Sequence, residues 1–425
     1  MKRIALTEDI DTFIRKTLFW LDKNADTFTY LNPNQYVHYP QKAFRHLIAF
    51  GSDYSLQITD TTKIFEALEQ TRNNYPMDWL FTFLSYDAKN SVEAVQTNKK
   101  QPIDFKAATI NIPKHVWEIT ATEIHILKGD ASGIVNQINT FQHTEITKRD
   151  TPIKISHLVT RDEYIHQVTR IQKFIQEGNA YEINYCIPFT GTGTLNQVET
   201  YLKLTAKNPM PFSCCYKFEQ DYILSASPER FIKKVDSTIY SQPIKGTSKR
   251  GSNQFEDEAF KKTLSLSEKE KAENTMIVDL VRNDLSRTSI PGSVTVPELS
   301  GIYSFPNVHQ LISTIRATKD PAFSSIEVIK QAYPMGSMTG APKVSAMNCI
   351  DETEVCARGP FSGTIGYMDP NDDFDFNVLI RSIFYNAESN QVFMEAGSAI
   401  TVYADAATEY DECMLKIEPM LAILS

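Results

Sequence analysis

The sequence predicts a mixed fold of helices and β-sheets, either α/β or α+β. One observation is that residues 162–177 carry apolar side chains at helical spacing and are followed by Gly178, a residue type that often ends helices. A second is that short runs rich in Val, Ile, Phe and Tyr occur on both sides of a long Glu- and Lys-rich window at residues 254–287. Helices interspersed with clusters of strands are typical of this fold class.

The predicted elements fall into two regions. Residues 1–150 mix short aromatic-rich segments with polar turns, and the charged stretch at residues 148–152 marks a boundary. We therefore divide the chain into an N-terminal region, residues 1–150, and a second region, residues 151–425. In the second region, strands are predicted at residues 181–189, 222–226, 231–235 and between 361 and 402, and helices at residues 162–177, 254–287, 344–350 and 405–424.

Composition and charge exclude several classes of function. The 425-residue chain has a net charge of −9, whereas nucleic-acid binding requires a concentrated basic surface. Its apolar runs are far shorter than the ~20 residues that a membrane helix needs, and residues 1–13 lack the apolar core of a signal peptide. Six cysteines without a C-x-x-C pair are typical of reduced thiols. We expect a cytoplasmic protein that binds neither nucleic acid nor membrane.

Glu229 and Lys245 belong to the first polar cluster, in the segments SPERF (residues 227–231) and PIKGTSKRG (residues 243–251). A lysine buried at a strand end has a lowered pKa, so its neutral amine is available as a nucleophile or a base. Read alone, Lys245 also fits a surface lysine beside a turn, and Glu229 fits a solvated partner of its neighbour Arg230. The residues by themselves leave both interpretations open.

Two pairs of glutamates form the second cluster. Glu270 and Glu273 are three residues apart in one predicted helix, and Glu409 and Glu412 repeat this spacing in the last one, so each pair shares a helix face. If the two faces oppose each other across a cleft, they offer the hard oxygen ligands that Mg²⁺ prefers. The alternative is that both pairs are solvent-exposed and are neutralised by neighbouring lysines.

Two further clusters are rich in small residues. Residues 334–343, PMGSMTGAPK, lack the spacing of a phosphate-binding loop, but the helix that follows could bind an anion at its first backbone amides. The segments SGTIGY (residues 362–367) and AGSAI (residues 396–400) would let a ligand approach the backbone closely. Arg381 lies in an apolar run and needs an anionic partner if it points inward, and a substrate carboxylate would suit it.

Taken together, these motifs resemble the chorismate-utilising enzymes, a family that includes anthranilate synthase component I, aminodeoxychorismate synthase component I and the isochorismate and salicylate synthases. The resemblance covers residues 155–422 and is weaker before them, where it rests mainly on residues 79–87. The motifs that carry it are SPERF, PIKGTSKRG, AENTMIVDLVRNDLSR, VHQLIST, GSMTGAPKVSAMNCIDE, SGTIGYM, NVLIRS and EYDE. It implies the fold of anthranilate synthase component I, a sandwich of two antiparallel sheets with flanking helices and a central cleft. In that fold the N-terminal region joins the same sheets.

The resemblance also implies a catalytic acid and a metal site. Glu229 matches the general acid that helps the ring C4 hydroxyl to leave. Glu273 and Glu412 match direct Mg²⁺ ligands, and Glu270 and Glu409 match carboxylates that act on the metal through water. The metal is expected to hold the ring carboxylate of chorismate and to withdraw charge from the ring.

A larger set of residues is implied to bind the substrate. Arg381 and Tyr367 match positions that bind the enolpyruvyl carboxylate, with help from backbone amides near Gly363 and Gly397. The full set that the resemblance implies at the chorismate site is Arg381, Tyr367, Gly363, Gly397, Thr339, His309, Lys343 and Glu182.

Lys245 indicates the branch of the family. Anthranilate and isochorismate synthases typically have alanine at this position, whereas aminodeoxychorismate synthases have a lysine that is proposed to attack ring carbon C2. Glu182 stands where isochorismate-forming enzymes have a water-activating lysine and aminating enzymes usually have glutamine. Ala399 stands where the family commonly has glycine. The resemblance therefore implies an aminodeoxychorismate synthase component I.

Such an enzyme converts chorismate and ammonia to 4-amino-4-deoxychorismate, which leads to 4-aminobenzoate and folate. Because the sequence contains no glutaminase signature, ammonia is expected from a separate glutamine amidotransferase subunit. The alternatives are an anthranilate synthase component I and a non-catalytic partner subunit that binds chorismate.

Overall fold

A computed structural model describes residues 2–36, 39–93, 95, 99–142 and 153–425. Helices and strands alternate through these residues, which confirms the predicted mixed class. The helices are α1 (Ile10–Asn24), α2 (Ile64–Asn74), α3 (Ser132–Thr140), α4 (Arg161–Gln176), α5 (Gln197–Lys207), α6 (Gln254–Leu266), α7 (Glu268–Ser286), α8 (Ser325–Ala332), α9 (Lys343–Thr353) and α10 (Ala406–Leu424), with short 3₁₀ helices at Thr61–Lys63, Tyr86–Ser91 and Gly336–Met338.

The strands are β1 (Lys2–Ala5), β2 (Thr27–Asn32), β3 (Leu47–Phe50), β4 (Tyr54–Ile58), β5 (Leu80–Leu84), β6 (Ala108–Ile112), β7 (His115–Ile119), β8 (Glu123–Lys128), β9 (Ser156–His157), β10 (Glu182–Thr192), β11 (Ser213–Phe218), β12 (Asp221–Ser225), β13 (Arg230–Val235), β14 (Thr238–Gln242), β15 (Ile244–Lys249), β16 (Thr295–Ser304), β17 (Val308–Thr318), β18 (Gly340–Ala341), β19 (Thr364–Met368), β20 (Phe374–Asn377), β21 (Ser382–Asn386) and β22 (Gln391–Ile400).

Within the described residues the strands form two sheets, and their pairings are antiparallel. The first sheet has 12 strands in the order β1-β8-β7-β3-β2-β11-β12-β21-β22-β10-β18, with β9 beside β10. The second has 10 strands in the order β15-β17-β14-β13-β20-β19-β5-β6-β4, with β16 beside β17. The two antiparallel sheets that the resemblance implied are therefore present.

Strands from both sides of the predicted boundary pair within each sheet. In the first sheet β2 pairs with β11, and in the second sheet β5 pairs with β19. Residues 148–152, where the boundary was predicted, lie outside the described residues.

The two sheets are joined by side chains that cross between them. The hydroxyl of Tyr216 on β11 is 2.6 Å from that of Thr109 on β6, and the ring of Tyr216 also packs against Phe83 on β5. Tyr216 and Phe83 belong to a continuous apolar core that includes residues of both sheets. Antiparallel sheets that each bury one face in this way form a sandwich.

Several predicted elements are confirmed with small shifts, and one is divided. Helix α4 occupies the predicted position, and a capping box between Thr160 and Glu163 fixes its first turn. The window predicted as one helical stretch at residues 254–287 is two helices, α6 and α7, that meet at Ser267. The Ser267 side chain accepts a hydrogen bond from the backbone N–H of Glu270, so it caps α7, and its own backbone is extended.

Helices α7 and α10 lie on different sheets. Helix α7 packs against β15 and β17 of the second sheet, and α10 packs against β22 of the first. The two glutamate pairs are therefore carried by helices that pack mainly on different sheets. No helix among the described residues combines the length and the apolar character needed to cross a bilayer.

Candidate active site

A cavity opens between α7, α10 and the ends of strands from both sheets, and we call it the central cavity. Eight of the predicted functional residues line it. They are Glu229, Lys245, Glu270, Glu273, Arg381, Gly397, Glu409 and Glu412. These residues are scattered between positions 229 and 412 of the sequence, and the fold brings them to one place.

Glu229 precedes β13 and is buried in the cavity wall. Its backbone N–H donates to the Ser227 hydroxyl over 3.3 Å, and its carbonyl accepts from the Val378 N–H over 3.0 Å, so the residue is fixed on both sides. Burial raises the pKa of Glu229 to about 7, although a hydrogen bond from Ser337 and the charge of Lys245 act in the other direction. A carboxyl with this pKa carries a proton in a substantial fraction of molecules near neutral pH, as a general acid requires.

Lys245 on β15 is buried, but its ionisation differs from our expectation. Its Nζ is 2.5 Å from Oε1 of Glu182, and this side chain of Glu182 is fully buried. Burial alone would lower the pKa of Lys245, but the carboxylates of Glu182 and Glu273 outweigh it and raise that pKa. The direction of this pKa shift is thus opposite to the predicted one, because the neighbouring carboxylates favour the charged ammonium form of Lys245.

The glutamate pairs face the central cavity together with two lysines. Lys269 Nζ is 3.2 Å from Glu409 Oε1 and 3.8 Å from Glu273 Oε1, and Lys416 Nζ is 2.6 Å from Glu412 Oε1. Burial raises the pKa of Glu273 to about 7 against the opposing charge of Lys245. The pairs are thus neither fully exposed nor matched by equal numbers of cations.

The remaining carboxylates differ in their exposure. Burial raises the pKa values of Glu270 and Glu409. Burial of Glu412 acts in the same direction, but the charges of Lys416, Lys269 and Lys245 together outweigh it and lower its pKa. Its side chain is 44% exposed, so Glu412 lies at the cavity mouth.

Arg381 lies just before β21 in the cavity wall. Its backbone has a φ of 52°, in the left-handed region that a non-glycine residue rarely occupies, which is common where a side chain is held for function. Burial lowers the pKa of Arg381, and the charge of Glu412 partly opposes this. Its guanidinium has no hydrogen-bond partner among the described residues, so it can receive an anion.

Gly397 and Ala399 on β22 line the cavity opposite β10. A Cβ at Gly397 would lie 2.3 Å from Sγ of Cys186 and 2.9 Å from the Tyr185 carbonyl oxygen, so the two strands could not pair this closely with a larger residue. The Gly397 carbonyl accepts a hydrogen bond from Lys416 over 2.8 Å. The methyl group of Ala399, where the family commonly has glycine, lies in the cavity wall.

His309 lies outside the cavity wall, and its neighbour Gln310 occupies that wall instead. The two residues are consecutive on β17, where side chains alternate between the two faces of the sheet. His309 points the other way, with Nε2 2.9 Å from Asp257 Oδ1 and Nδ1 2.9 Å from the Ser304 hydroxyl. The structure thus places His309 outside the central cavity, and its binding role stays a prediction.

Tyr367 and Gly363 also lie outside the wall of the central cavity. The Tyr367 ring packs against Trp79 and Phe81 at centroid distances of 5.6 and 5.9 Å. Gly363 packs against the end of β5, and its carbonyl accepts a hydrogen bond from the Leu379 N–H. The aromatic residue of this segment that lines the cavity is Phe361.

Thr339 and Lys343 hold the loop rather than the cavity. The Thr339 hydroxyl donates to the carbonyl of Met335 over 3.1 Å, and the Thr339 carbonyl accepts from the Asn184 N–H. Lys343 Nζ pairs with Asp284 over 2.6 Å and also donates to the Ala332 carbonyl. These polar groups are engaged within the protein and lie outside the cavity wall, and the binding roles of both residues stay predictions.

Sequence reasoning missed other residues of the central cavity. Asn184, Ser337 and Glu395 line it, as do Lys269 and Lys416, which we had considered only as surface partners of the glutamates. Glu395 gives the one signal that could have been recognised, since it is an isolated acid in the apolar strand β22. Both of its carboxyl oxygens are buried and accept no hydrogen bond from the described residues.

The geometry of this site can be compared with known proteins. A family model described as chorismate binding enzyme matches residues 17–422. This chain belongs to the chorismate binding enzyme family. The match confirms the resemblance that the motifs indicated, and it also extends into the N-terminal region.

Two relatives are similar in sequence to more than half of this chain. Aminodeoxychorismate synthase component 1 of Escherichia coli is 39% identical over 263 residues, which are 62% of this chain and 58% of that protein. The chloroplastic aminodeoxychorismate synthase of Arabidopsis thaliana is 40% identical over 263 residues, 60% of this chain and 28% of that protein. The match thus spans little more than half of one relative and under a third of the other.

The fold is shared with a solved structure of the same family. Anthranilate synthase component I from Streptococcus pneumoniae superposes with a TM-score of 0.77 at 23% identity, over 92% of this chain and 95% of that one. At this level of identity the likeness shows a common fold.

Proposed function

We propose that this chain is the chorismate-aminating component of an aminodeoxychorismate synthase, which forms 4-amino-4-deoxychorismate from chorismate and ammonia. The observation that carries the proposal is the pairing of Lys245 with Glu229 in one cavity: one side chain can attack the ring, and the other can protonate the departing hydroxide. The names of the two relatives above support the same reaction. Ammonia would come from a glutamine amidotransferase partner.

Arg381 supplies the binding energy that orients chorismate in this proposal. Its unpaired guanidinium can bind a carboxylate through two hydrogen bonds, and the enolpyruvyl carboxylate is the candidate. Glu229 has a pKa of about 7, so it can donate a proton to the C4 oxygen as the C–O bond breaks. Because hydroxide is a poor leaving group, this proton is essential to the reaction.

The glutamates fit a magnesium ion by their chemistry and by their shared cavity. They present hard carboxylate oxygens to one cavity, and Glu273 Oε1 is buried without a hydrogen-bond donor among the described residues. No three carboxylate, imidazole or thiol groups in the described ranges are already gathered at metal-binding separation, so side chains must move on binding. We propose Glu273 and Glu412 as direct ligands and Glu270 and Glu409 as ligands of bound water. When bound, the ion would draw electron density from the ring through the substrate carboxylate.

Product analysis tests the proposed reaction. The purified chain is incubated with chorismate, MgCl₂ and an ammonium salt, and the products are separated by chromatography. We expect 4-amino-4-deoxychorismate, with pyruvate release only after a lyase is added. Anthranilate together with pyruvate, without added lyase, would identify an anthranilate synthase instead, and no turnover would identify a binding subunit.

Two variants test the assigned residues. Lys245→Ala is expected to abolish product formation, whereas Lys262→Ala, an exposed lysine on α6, leaves it unchanged. Glu273→Gln is expected to weaken Mg²⁺ binding, measured by calorimetry, and to raise the Mg²⁺ concentration that gives half-maximal activity. Unchanged binding of the ion to Glu273→Gln would remove the proposed metal site.

A further inference from the structure

The contact between Lys245 and Glu182 is among the shortest ion pairs in the molecule. Lys245 Nζ and Glu182 Oε1 are 2.5 Å apart, with 10% of the lysine side chain and none of the glutamate side chain exposed. The second carboxylate oxygen, Oε2, is also buried and has no hydrogen-bond donor among the described residues. Glu182 therefore has Lys245 as its cationic partner and retains free acceptor capacity.

The backbone around Glu182 is locked in place by the loop at residues 339–341. The N–H groups of Tyr181 and Asn184 donate to the carbonyls of Ala341 and Thr339 over 2.7 and 2.8 Å. Gly340 has a φ of 143°, and a Cβ there would lie 2.1 Å from the Glu182 carbonyl oxygen. Only glycine allows this approach, so the loop fixes the depth at which Glu182 meets the lysine.

An ammonium group has no lone pair, so Lys245 must lose a proton before it can attack carbon. Of the carboxylates near Lys245, Glu229 is needed as a proton donor and Glu273 as a ligand in the proposed function. Glu182 alone touches Nζ among these side chains. A glutamine at this position could orient the lysine through a hydrogen bond, but an amide cannot take up its proton.

We propose that Glu182 is the proton acceptor that converts Lys245 from an ammonium into the attacking amine, and that it returns the proton when the lysine is released. The inference rests on the proposed function. In the first half-reaction the Nζ proton passes to Glu182, the Nζ–C2 bond forms and the ring double bonds shift. The C4–O bond breaks, and the oxygen leaves as water with the proton of Glu229.

The second half-reaction restores both residues. Ammonia forms a bond to C4, the double bonds shift back and the C2–Nζ bond breaks. The new C4 ammonium gives one proton to Glu229, and the lysine amine recovers its proton from Glu182. The balance is chorismate plus ammonia giving 4-amino-4-deoxychorismate plus water, without any further reactant.

The test measures formation of the covalent adduct directly. The full chain is mixed with chorismate and Mg²⁺ in the absence of ammonia, and intact-protein mass spectrometry follows the gain of chorismate less one water. We expect Glu182→Gln to form this adduct about 10²-fold more slowly than the unchanged protein. Its affinity for chorismate, measured by calorimetry, should change by no more than about threefold. Glu258→Gln, an exposed glutamate on α6, is the matched control and should react normally.

Chemical rescue distinguishes proton transfer from positioning. In Glu182→Ala, added formate should restore part of the adduct rate, whereas formamide should not, because only the carboxylate can accept the proton. An adduct rate in Glu182→Gln within about threefold of the unchanged protein, or equal rescue by formamide, overturns the inference. If Lys245→Ala forms product at the full rate, the proposed function fails first, so the two failures are distinguishable.

Discussion

Buried charged side chains occur in two neighbouring regions of the molecule, the central cavity and a cluster formed by Glu354 and Arg358. In the cluster, the Arg358 guanidinium donates to Glu354 over 2.6 and 3.0 Å and to the backbone carbonyls of Met338 and Asn184. It also lies 4.6 Å from the centroid of the Tyr86 ring. All three guanidinium nitrogens therefore donate to groups of the protein itself, and one face packs near an aromatic ring.

In the central cavity, by contrast, the same types of side chain are incompletely paired. The Arg381 guanidinium has no hydrogen-bond partner in the described part of the chain. The Glu273 Oε1 atom has no hydrogen-bond donor there. Unpaired buried charges are costly for stability, and they persist where a ligand completes them. The comparison teaches that burial of a charge does not by itself indicate a site, whereas burial without a partner does.

The largest effect is expected in the Glu354–Arg358 cluster. Arg358→Met leaves the Glu354 carboxylate buried without its cation and two backbone carbonyls without a donor. We expect a loss of about 3–5 kcal/mol in the free energy of unfolding, measured by denaturant titration. If the loss is below about 1 kcal/mol, this ion pair is not the closed structural contact described here.

The equivalent change in the central cavity should affect binding instead of stability. Arg381→Met removes a guanidinium that makes no hydrogen bond in the described structure, so the free energy of unfolding should stay within about 1 kcal/mol of its original value. Chorismate affinity should fall by about 10- to 100-fold, which is the effect expected from the loss of one or two charge-assisted hydrogen bonds. Calorimetric titration of chorismate measures this, and unchanged affinity would place the substrate carboxylate elsewhere.

A pH profile tests how the cavity sets the protonation of Glu229. Since burial raises its pKa to about 7, the protonated acid is present below that pH and is lost above it. Above this pH we expect kcat to decrease, and the decrease should approach tenfold per pH unit. The measurement uses saturating chorismate, Mg²⁺ and free ammonia held constant across the series. A flat profile from pH 6 to about 9 would show that Glu229 is not the proton donor.

The smallest effect is expected at Glu395, which lies between the two regions. Burial and the nearby charge of Glu354 raise its pKa, so the folded protein keeps a proton that the unfolded chain releases above pH ~4.3. The contribution of Glu395 to stability is therefore present at lower pH and is lost as pH rises. Relative to the unchanged protein, Glu395→Gln should become more stable as pH rises from 5 to 7, measured by denaturant unfolding at each pH. An equal difference at both values would contradict this ionisation.

Part of the central cavity was predictable from the sequence, because several of its charged residues belong to motifs that resemble a known family. Glu229, Lys245, Arg381 and the glutamate pairs were all identified from the sequence, and the structure places them in one cavity. The sequence was less informative about which residues of a motif face the cavity when the motif lies on a strand. His309 and Gln310 are consecutive, and the sequence does not show which of the two faces the cavity, since both faces of β17 are buried.

The ionisation of Lys245 was beyond sequence reasoning for a different reason. Its partner Glu182 is 63 residues away in the sequence and lies in the other sheet, so the contact exists only after the sheets meet. The division of the helical window at Ser267 had a local signal, because serine is a preferred N-cap residue. That signal is weak inside a long stretch of helix-forming residues.

The position of α10 along the chain has a consequence for biosynthesis. The ribosome completes every strand of both sheets before it reaches Ala406–Leu424, the helix that carries Glu409 and Glu412. The strands that carry or flank Lys245 and Glu229 are therefore synthesised before one half of the proposed cation site. Glu409 and Glu412 would thus be the last of the proposed cation ligands to be synthesised, and the site would depend on the docking of the last helix onto strands made before it.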